Sequence, residues 1–285
     1  MKFGAMYNTA AQGMNPDRLI RFAQHVEACG FESLYVPEHL VLYPGATVSG
    51  YPLPPTIECA DPLDLLAFVA AATHRILLGT AVFLLPYRHP VVVAKRLATI
   101  DALSKGRMRL LTVGVGSLPG EAAAVGVDFA GRGRRANEAI DAMRLLWSGD
   151  ERGVSFAGEF FAFDDVCSYP KPYQATGLPI HVGGSSPAAA RRAGQRGDGF
   201  FPGGGLTPDE RALRWQQARS SAEEAGRDPD ALEYTRWGSV TLQPDQIEAY
   251  AAQGVTRLVV NAPGETEQEQ LDALARFSAH HGLAR

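Results

Sequence analysis

This sequence predicts an α/β chain folded as a (β/α)8 barrel, and three observations predict it. The first is the stretch from Arg75 to Ser117, RILLGTAVFLLPYRHPVVVAKRLATIDALSKGRMRLLTVGVGS, which reads as buried strand, loop, helix, buried strand and glycine turn. Ile76 to Val82 is too short for a helix and apolar enough for a strand covered on both faces. Pro90 stands where its missing N–H costs nothing, ahead of apolar residues at helical spacing from Val91 to Leu103. Ser104-Lys105-Gly106 ends that helix, and Met108 to Val115 is the second buried strand. Two buried strands joined by a helix make a parallel βαβ unit. The second observation is repetition, since strand and helix alternate through about eight such units, the number a barrel of this kind needs. The third is size: 285 residues with 46% apolar side chains suit one barrel, taken as a single domain over 1–285. A doubly wound open sheet would not need so many units.

The elements follow in order. Lys2 to Tyr7 is a strand, and Asn15 to Cys29 an amphipathic helix opened by Asn15-Pro16 and closed by Gly30. Ser33 to Val36 is the next strand, followed by Pro37-Glu38-His39. Val41 to Asp61 is a Pro-, Gly- and Tyr-containing loop, longer than connections without a task usually are. Asp61 caps a helix over Pro62 to Ala72. Beyond the central unit, Gly131 to Trp147 is a helix, and Val154 to Phe163 alternates like a hairpin strand. With the proline-rich tail that follows, it forms an insertion around 150–178. Strands then fall at Pro179–Val182, Gly199–Phe201, Glu233–Thr241 and Arg257–Val260. Helices fall at Pro187–Gln195, Thr207–Ala225, Pro244–Gln253 and Glu265–His281.

Composition narrows the function. A net charge of −4 argues against nucleic acid as the partner. No window is apolar and long enough to cross a membrane, and MKFGAMYNTAAQG has no signal-length apolar run, so a cytoplasmic protein is expected. Cys29, Cys59 and Cys167 are odd in number and scattered, which argues for a reducing compartment and against a thiolate metal site. No histidine pair has metal-ligand spacing with a third candidate nearby, so no metal is expected.

In a barrel of this kind the chemistry sits where strands end and βα loops begin. Gly114-Val115-Gly116-Ser117-Leu118-Pro119-Gly120 follows a strand, but its spacing is off for a dinucleotide fingerprint and no acidic residue follows at the end of a next strand. It is equally open to reading as bare backbone along a flat ring, or as a tight turn with no ligand. Gly183-Gly184-Ser185-Ser186-Pro187 lies between a strand and a helix, a seat for a phosphate at the helix N-terminus or simply a capped start. Arg191, Arg192 and Arg196 extend that site toward a longer anion or form a solvated face. His39 follows a strand end, where an imidazole donates to a carbonyl or shuttles a proton, although a lone histidine there is more often structural.

Five segments carry a resemblance to a known family: GFESLYVPEH (30–39), LGTAVFLLPYRHPVVVAKRLATIDALSKGRMRL (78–110), GVG (114–116), GVDFAGRGRRANEAIDAMRLLW (126–147) and PIHVGGSSPAAARRAGQRGDGFFP (179–202). Together they resemble the luciferase-like monooxygenases, and more narrowly the coenzyme F420-dependent oxidoreductases of actinobacteria. The resemblance covers most of residues 1–202; from 203 onward only the general shape matches. It implies a (β/α)8 barrel, a homodimer, and a deazaflavin or flavin at the C-terminal mouth. It further implies a cis peptide bond at Ala81–Val82, with Thr80, Ala81, Val82, Gly114, Val115 and Gly116 along the cofactor and Gly183, Gly184, Ser185 and Ser186 at its phosphate. His39 takes the family's proton-transferring or hydrogen-bonding place beside the ring. Departures are Glu38, where an aspartate is commoner, and Ser117-Leu118-Pro119-Gly120 in place of bulky aromatic and charged residues, which leaves Glu121 as the second acid in question. Tyr7, Tyr51 and Trp237 are candidates for the substrate wall, and Arg88 or the 191–196 arginines for a basic groove along the cofactor's tail. The implied activity is hydride transfer between F420 and a small organic substrate. The alternatives are an FMN-dependent monooxygenase and a cofactor-binding protein without turnover.

Overall fold

Parallel strands wrap into a barrel in a computed structural model that describes residues 1–48, 50–174 and 177–284. Ser49 of the expected 41–61 loop, Ala175 and Thr176 of the expected 150–178 insertion, and Arg285 lie outside the described residues. The chain runs β1 (Lys2–Met6), α1 (Thr9–Gln12), α2 (Pro16–Ala28), β2 (Ser33–Val36), β3 (Thr47–Val48), β4 (Tyr51–Pro52), α3 (Pro62–Ala72), β5 (Leu77–Thr80), β6 (Phe83–Leu84) and α4 (Pro90–Leu103). It continues with β7 (Leu111–Gly114), α5 (Pro119–Ala124), α6 (Arg132–Ser148), β8 (Val154–Ala157), β9 (Ala162–Val166), β10 (Ile180–Gly183), α7 (Pro187–Arg196), β11 (Gly199–Phe201), α8 (Pro208–Glu224), β12 (Glu233–Ser239), α9 (Pro244–Ala252), β13 (Arg257–Asn261) and α10 (Glu267–His281).

The main sheet has the order β5-β2-β1-β13-β12-β11-β10-β7-β6, every pair parallel. β5 and β6 are two halves of one stave, separated by the Ala81–Val82 peptide, which is cis as the resemblance implies. The lower half closes the barrel: Gly79 bridges Leu110, and the Thr80 N–H donates to Leu110 O at 3.1 Å. Thr80 Oγ1 donates to Thr112 O at 2.9 Å and accepts the Thr112 N–H at 3.0 Å.

Pleating sorts the side chains. Met6, Tyr35, Leu110, Phe201 and Val259 fill the barrel, while Phe3, Ala5, Leu34, Val36, Val113, Val182 and Val260 pack outward under the helices. Proline begins α2, α3, α4, α7 and α8 as the sequence indicates, with Asn15, Asp61, His89, Ser186 and Thr207 capping them. Two local readings change. Residues 154–166 form two antiparallel strands, β8 and β9, rather than one strand reaching Phe163. A short helix, α5, occupies the segment after the glycine turn, which lies outside the expected elements.

Candidate active site

A cavity of ≈ 640 Å³ opens at the C-terminal end of the barrel. Its floor comes from the strand ends: Pro37–His39 after β2, Ala81 and Val82 between β5 and β6, Gly114–Ser117 after β7, and Gly183–Ser186 after β10. Leu42, Val48, Leu53, Ile57 and Cys59 of the long loop form an apolar wall. Val82 explains two of the glycines. A Cβ on Gly114 would lie 2.4 Å from Val82 Cγ2, and one on Gly183 2.4 Å from Val82 Cγ1, so the isopropyl group is wedged between two bare strand ends. Gly116 has φ +80°, and a Cβ there would strike the Tyr87 hydroxyl at 2.1 Å.

His39 sits on the rim of this floor, three residues past β2. Its Nδ1 lies 3.3 Å from Glu121 Oε2, and the Leu40 N–H donates to Glu121 Oε1 at 2.6 Å. Glu121 is fully buried, delivered by the first turn of α5. Each carboxylate oxygen thus holds one group of the His39–Leu40 turn. The sequence carried a signal for this helix in Pro119 ahead of an acidic first turn, though none for the contact itself.

Glu38 is also buried and lines the cavity. Its Oε2 accepts the Leu84 N–H at 2.6 Å, and its Oε1 takes the Arg88 guanidinium, which also reaches Asp61 Oδ2 at 2.8 Å. Burial pushes the Glu38 carboxyl above its ordinary range against the opposing pull of Arg88. This cluster ties the loop after β2 to the strand that follows Val82. Arg88 itself is engaged between two carboxylates, stacks over Phe83 at 4.5 Å, and does not line the cavity.

At the α7 N-terminus, Ser186 accepts the Ala189 N–H at 3.1 Å, and Ser185 and Ser186 face the cavity. The arginines behind them turn away. Arg192 is buried, donating to Asn137 and to Gly133 O, with burial holding it down at about 10. Arg196 pairs with Asp141 at 3.0 Å, and Arg191 is exposed on α7. Neither Arg192 nor Arg196 lines the cavity; Arg192 is buried against neutral partners, while Arg196 lies half-exposed in an ion pair on the outer face. Among the described residues the lining holds one arginine or lysine, Arg132, which donates to Gly116 O at 3.1 Å and stacks 3.5 Å over Phe129.

The expected residues therefore divide. His39, Ala81, Val82, Gly114, Val115, Gly116, Gly183, Gly184, Ser185 and Ser186 line one cavity. Thr80 is buried in the barrel closure instead. Tyr7 is buried and turned outward by the pleat, donating to Gly13 O at 3.0 Å beside Phe22. Tyr51 is 76% exposed on β4, and Trp237 packs inside the barrel against Phe201 at 4.8 Å. None of these three lines the cavity, whose apolar side comes instead from residues of the 41–61 loop. Nothing in a loop's sequence marks which of its side chains fold inward. Among the described residues no three His, Cys, Asp or Glu side chains gather as metal ligands, and no helix is long and apolar enough to cross a membrane.

Comparison with known proteins places these features among relatives. The sequence pattern described as luciferase-like monooxygenase matches residues 1–284. A 4-hydroxyprotoasukamycin monooxygenase of Streptomyces nodosus subsp. asukaensis is 36% identical over 78% of this chain, which spans only 58% of that relative's length. An F420-dependent glucose-6-phosphate dehydrogenase of Nakamurella multipartita is 32% identical over 87% of this chain and 70% of its own. Among solved structures, an F420-dependent secondary alcohol dehydrogenase in complex with an F420-acetone adduct superposes with TM-score 0.81 at 20% identity, covering 100% of this chain and 99% of that one. A monooxygenase from Streptomyces bottropensis superposes with TM-score 0.77 at 21% identity over 98% of each chain. At such identities the structures share the fold.

Proposed function

The chain belongs to the luciferase-like monooxygenase family, and on that premise we propose that it is an F420-dependent oxidoreductase moving hydride between the deazaflavin and a small organic substrate. The observation that carries this reading is the pairing of His39 with buried Glu121 beside a floor made of Val82 and two bare strand ends. That floor suits a flat ring, because with no side chain at Gly114 or Gly183 the Val82 isopropyl group settles between the two strand ends and presents a low apolar surface to the cavity. The α7 N-terminus with Ser185 and Ser186 suits the ring's phosphate-bearing arm. A bound deazaflavin supplies a carbon that accepts or donates hydride and reacts poorly with oxygen.

This chain's residues supply the rest. An ionised Glu121 only accepts, so it keeps the His39 proton on Nδ1 and leaves Nε2 as the group that exchanges a proton with a substrate oxygen. Glu38 and Arg88 fix the segment that carries Val82. Leu42, Leu53 and Ile57 exclude water from the region above the floor.

A second reading, an FMN-dependent monooxygenase using O2, is favoured by the 36% identity to the Streptomyces nodosus monooxygenase. Titration of the purified protein with F420 and separately with FMN, followed by fluorescence quenching, separates the two. Tight F420 binding with weak FMN binding supports hydride transfer. FMN preference sinks it in favour of oxygen chemistry, and binding of neither removes both.

A further inference from the structure

β12 carries an arginine on the face it turns toward the helices. Trp237 points into the barrel, so by the pleat Tyr234 and Arg236 point outward beneath α8 and α9. Arg236 is only 7% exposed, yet among the described residues no carboxylate lies within 4.0 Å of it. Its neighbours are Tyr250, with the guanidinium 5.0 Å from the ring centre, Gln253 Oε1, 3.5 Å from Nη1, the Tyr234 hydroxyl, and a second cation, Arg211. A guanidinium has five N–H donors, and the Gln253 and Tyr234 side chains, both neutral, leave part of that capacity unused and its charge unanswered. Burying a cation without an anion is costly, which makes the arrangement informative.

The same arginine lies in a groove of ≈ 660 Å³ along α8. Trp215 forms one side, held flat on Tyr234 with ring centres 4.3 Å apart and planes within 8°. Arg219 also lines it, but its charge is taken by Asp230 at 2.7 Å. Asp209 and Glu223 lie in exposed positions at the rim. α9 has no buried residue and contributes none to the lining, which on that side is Gln253 just past its end. The groove shares no lining residue with the cavity at the barrel mouth.

We propose that this groove is a second binding site, taking a small organic oxyanion: a ring bearing a carboxylate or a phosphate. The oxygens accept from Arg236, and the ring packs along Trp215. A planar carboxylate, or two oxygens of a tetrahedral phosphate, matches the guanidinium fork and supplies the missing counter-charge, and the flat aromatic side of the groove accepts a ring.

The test reads the groove directly. The Trp215 indole N–H is followed by NMR, assigned by its loss in Trp215→Phe, while the protein is titrated with benzoate and with phenyl phosphate. A phosphate binding at the α7 N-terminus instead leaves that signal in place. The expected result is a saturable shift with at least one probe, the more effective probe identifying the preferred oxyanion. Arg236→Met should weaken binding about tenfold or more, and Arg236→Lys should fall between. Arg236→Met should fold, since it replaces an unpaired buried charge by an apolar chain; Arg236→Lys carries the comparison otherwise. No saturable shift with either probe into the millimolar range overturns the proposal, as does equal binding by wild type and a folded variant.

Discussion

The two oxygens of Glu121 hold two consecutive residues of one turn, His39 through Nδ1 at 3.3 Å and Leu40 through its N–H at 2.6 Å. A carboxylate in that position fixes both the place of the imidazole and the nitrogen that carries its proton. Glu121→Gln keeps the acceptor for Leu40 but turns an amide NH2 toward Nδ1, which favours the opposite tautomer. The expected outcome is a folded protein in which the His39 ¹⁵N shifts report the proton on Nε2. Turnover should fall about a hundredfold or more with little change in KM. Unchanged ¹⁵N shifts together with unchanged turnover would show that Glu121 does no more than pin the turn.

Val82 and Gly183 constrain each other. A methyl added at Gly183 meets Val82 Cγ1 at 2.4 Å, so Gly183→Ala must push the Val82 side chain out of its slot. We expect a loss of about 1–3 kcal/mol in urea unfolding, the usual scale of overpacking. Ring binding, measured by fluorescence titration, should weaken at the same time. Val82→Ala in the Gly183→Ala background removes the colliding methyl and should recover most of the stability. If the double variant is no more stable than Gly183→Ala alone, the collision is not the cause.

How much of this was legible depends on which interaction sets each feature. The barrel was readable because its strands are short apolar runs and its helices open with proline and a capping side chain, as at Asn15-Pro16 and Ser186-Pro187. The glycines at 114, 116 and 183 were readable as strand ends, but their reason was not, because Val82 and Tyr87 meet them only in three dimensions. Tyr7 was misplaced by the pleat: one residue beyond β1, it faces the helices rather than the mouth. The partners of Arg88, Arg192 and Arg196 were equally hidden. Asp61 is 27 residues from Arg88, while Asn137 and Asp141 each lie 55 residues from their arginine.

Arg88 is the counter-charge of a carboxylate that burial alone would strand. Replacing it by methionine leaves Glu38 buried beside the Leu84 N–H with no cation. The expected cost is about 3–5 kcal/mol at neutral pH, the scale for breaking one side of a buried pair. Burial already raises the Glu38 carboxyl, and without Arg88 nothing comparable opposes it. A carboxyl raised in the folded state destabilises once ionised, so Arg88→Met should regain stability as the pH falls toward the acid range. Urea midpoints of wild type and variant between neutral and mildly acidic pH check this. Curves that stay parallel would mean that Glu38 does not depend on Arg88.

At the other end of the barrel, His181 makes stability depend on acid. It is buried inside β10, its Nδ1 has no partner among the described residues, and its Nε2 lies 3.6 Å from Glu233. Burial pushes it down to about 4, with Glu233, Asp198 and Glu32 pulling upward and Arg257 pushing further down. An unfolded histidine takes its proton near pH ~6.5. The native state therefore stays neutral where the unfolded state is already charged. Stability from this group is complete above that value and drains away as the pH falls toward 4, by about 3 kcal/mol in all. Glu233 acts lower on the scale. Burial works to raise it, but the hydrogen bond and charge of Arg257 outweigh that and hold it down at about 2. Its contribution is lost only below the ordinary carboxylate range, so between neutral pH and that range His181 contributes a loss of stability with acid, to which His281, also pushed down by burial, adds and which the raised Glu38 and Asp101 carboxyls oppose. His181→Leu, which needs no partner for either nitrogen, should make the fall of the urea midpoint across that window shallower than in wild type while leaving the acid limb set by Glu233. A variant that loses stability as steeply as wild type there would assign the effect to another group.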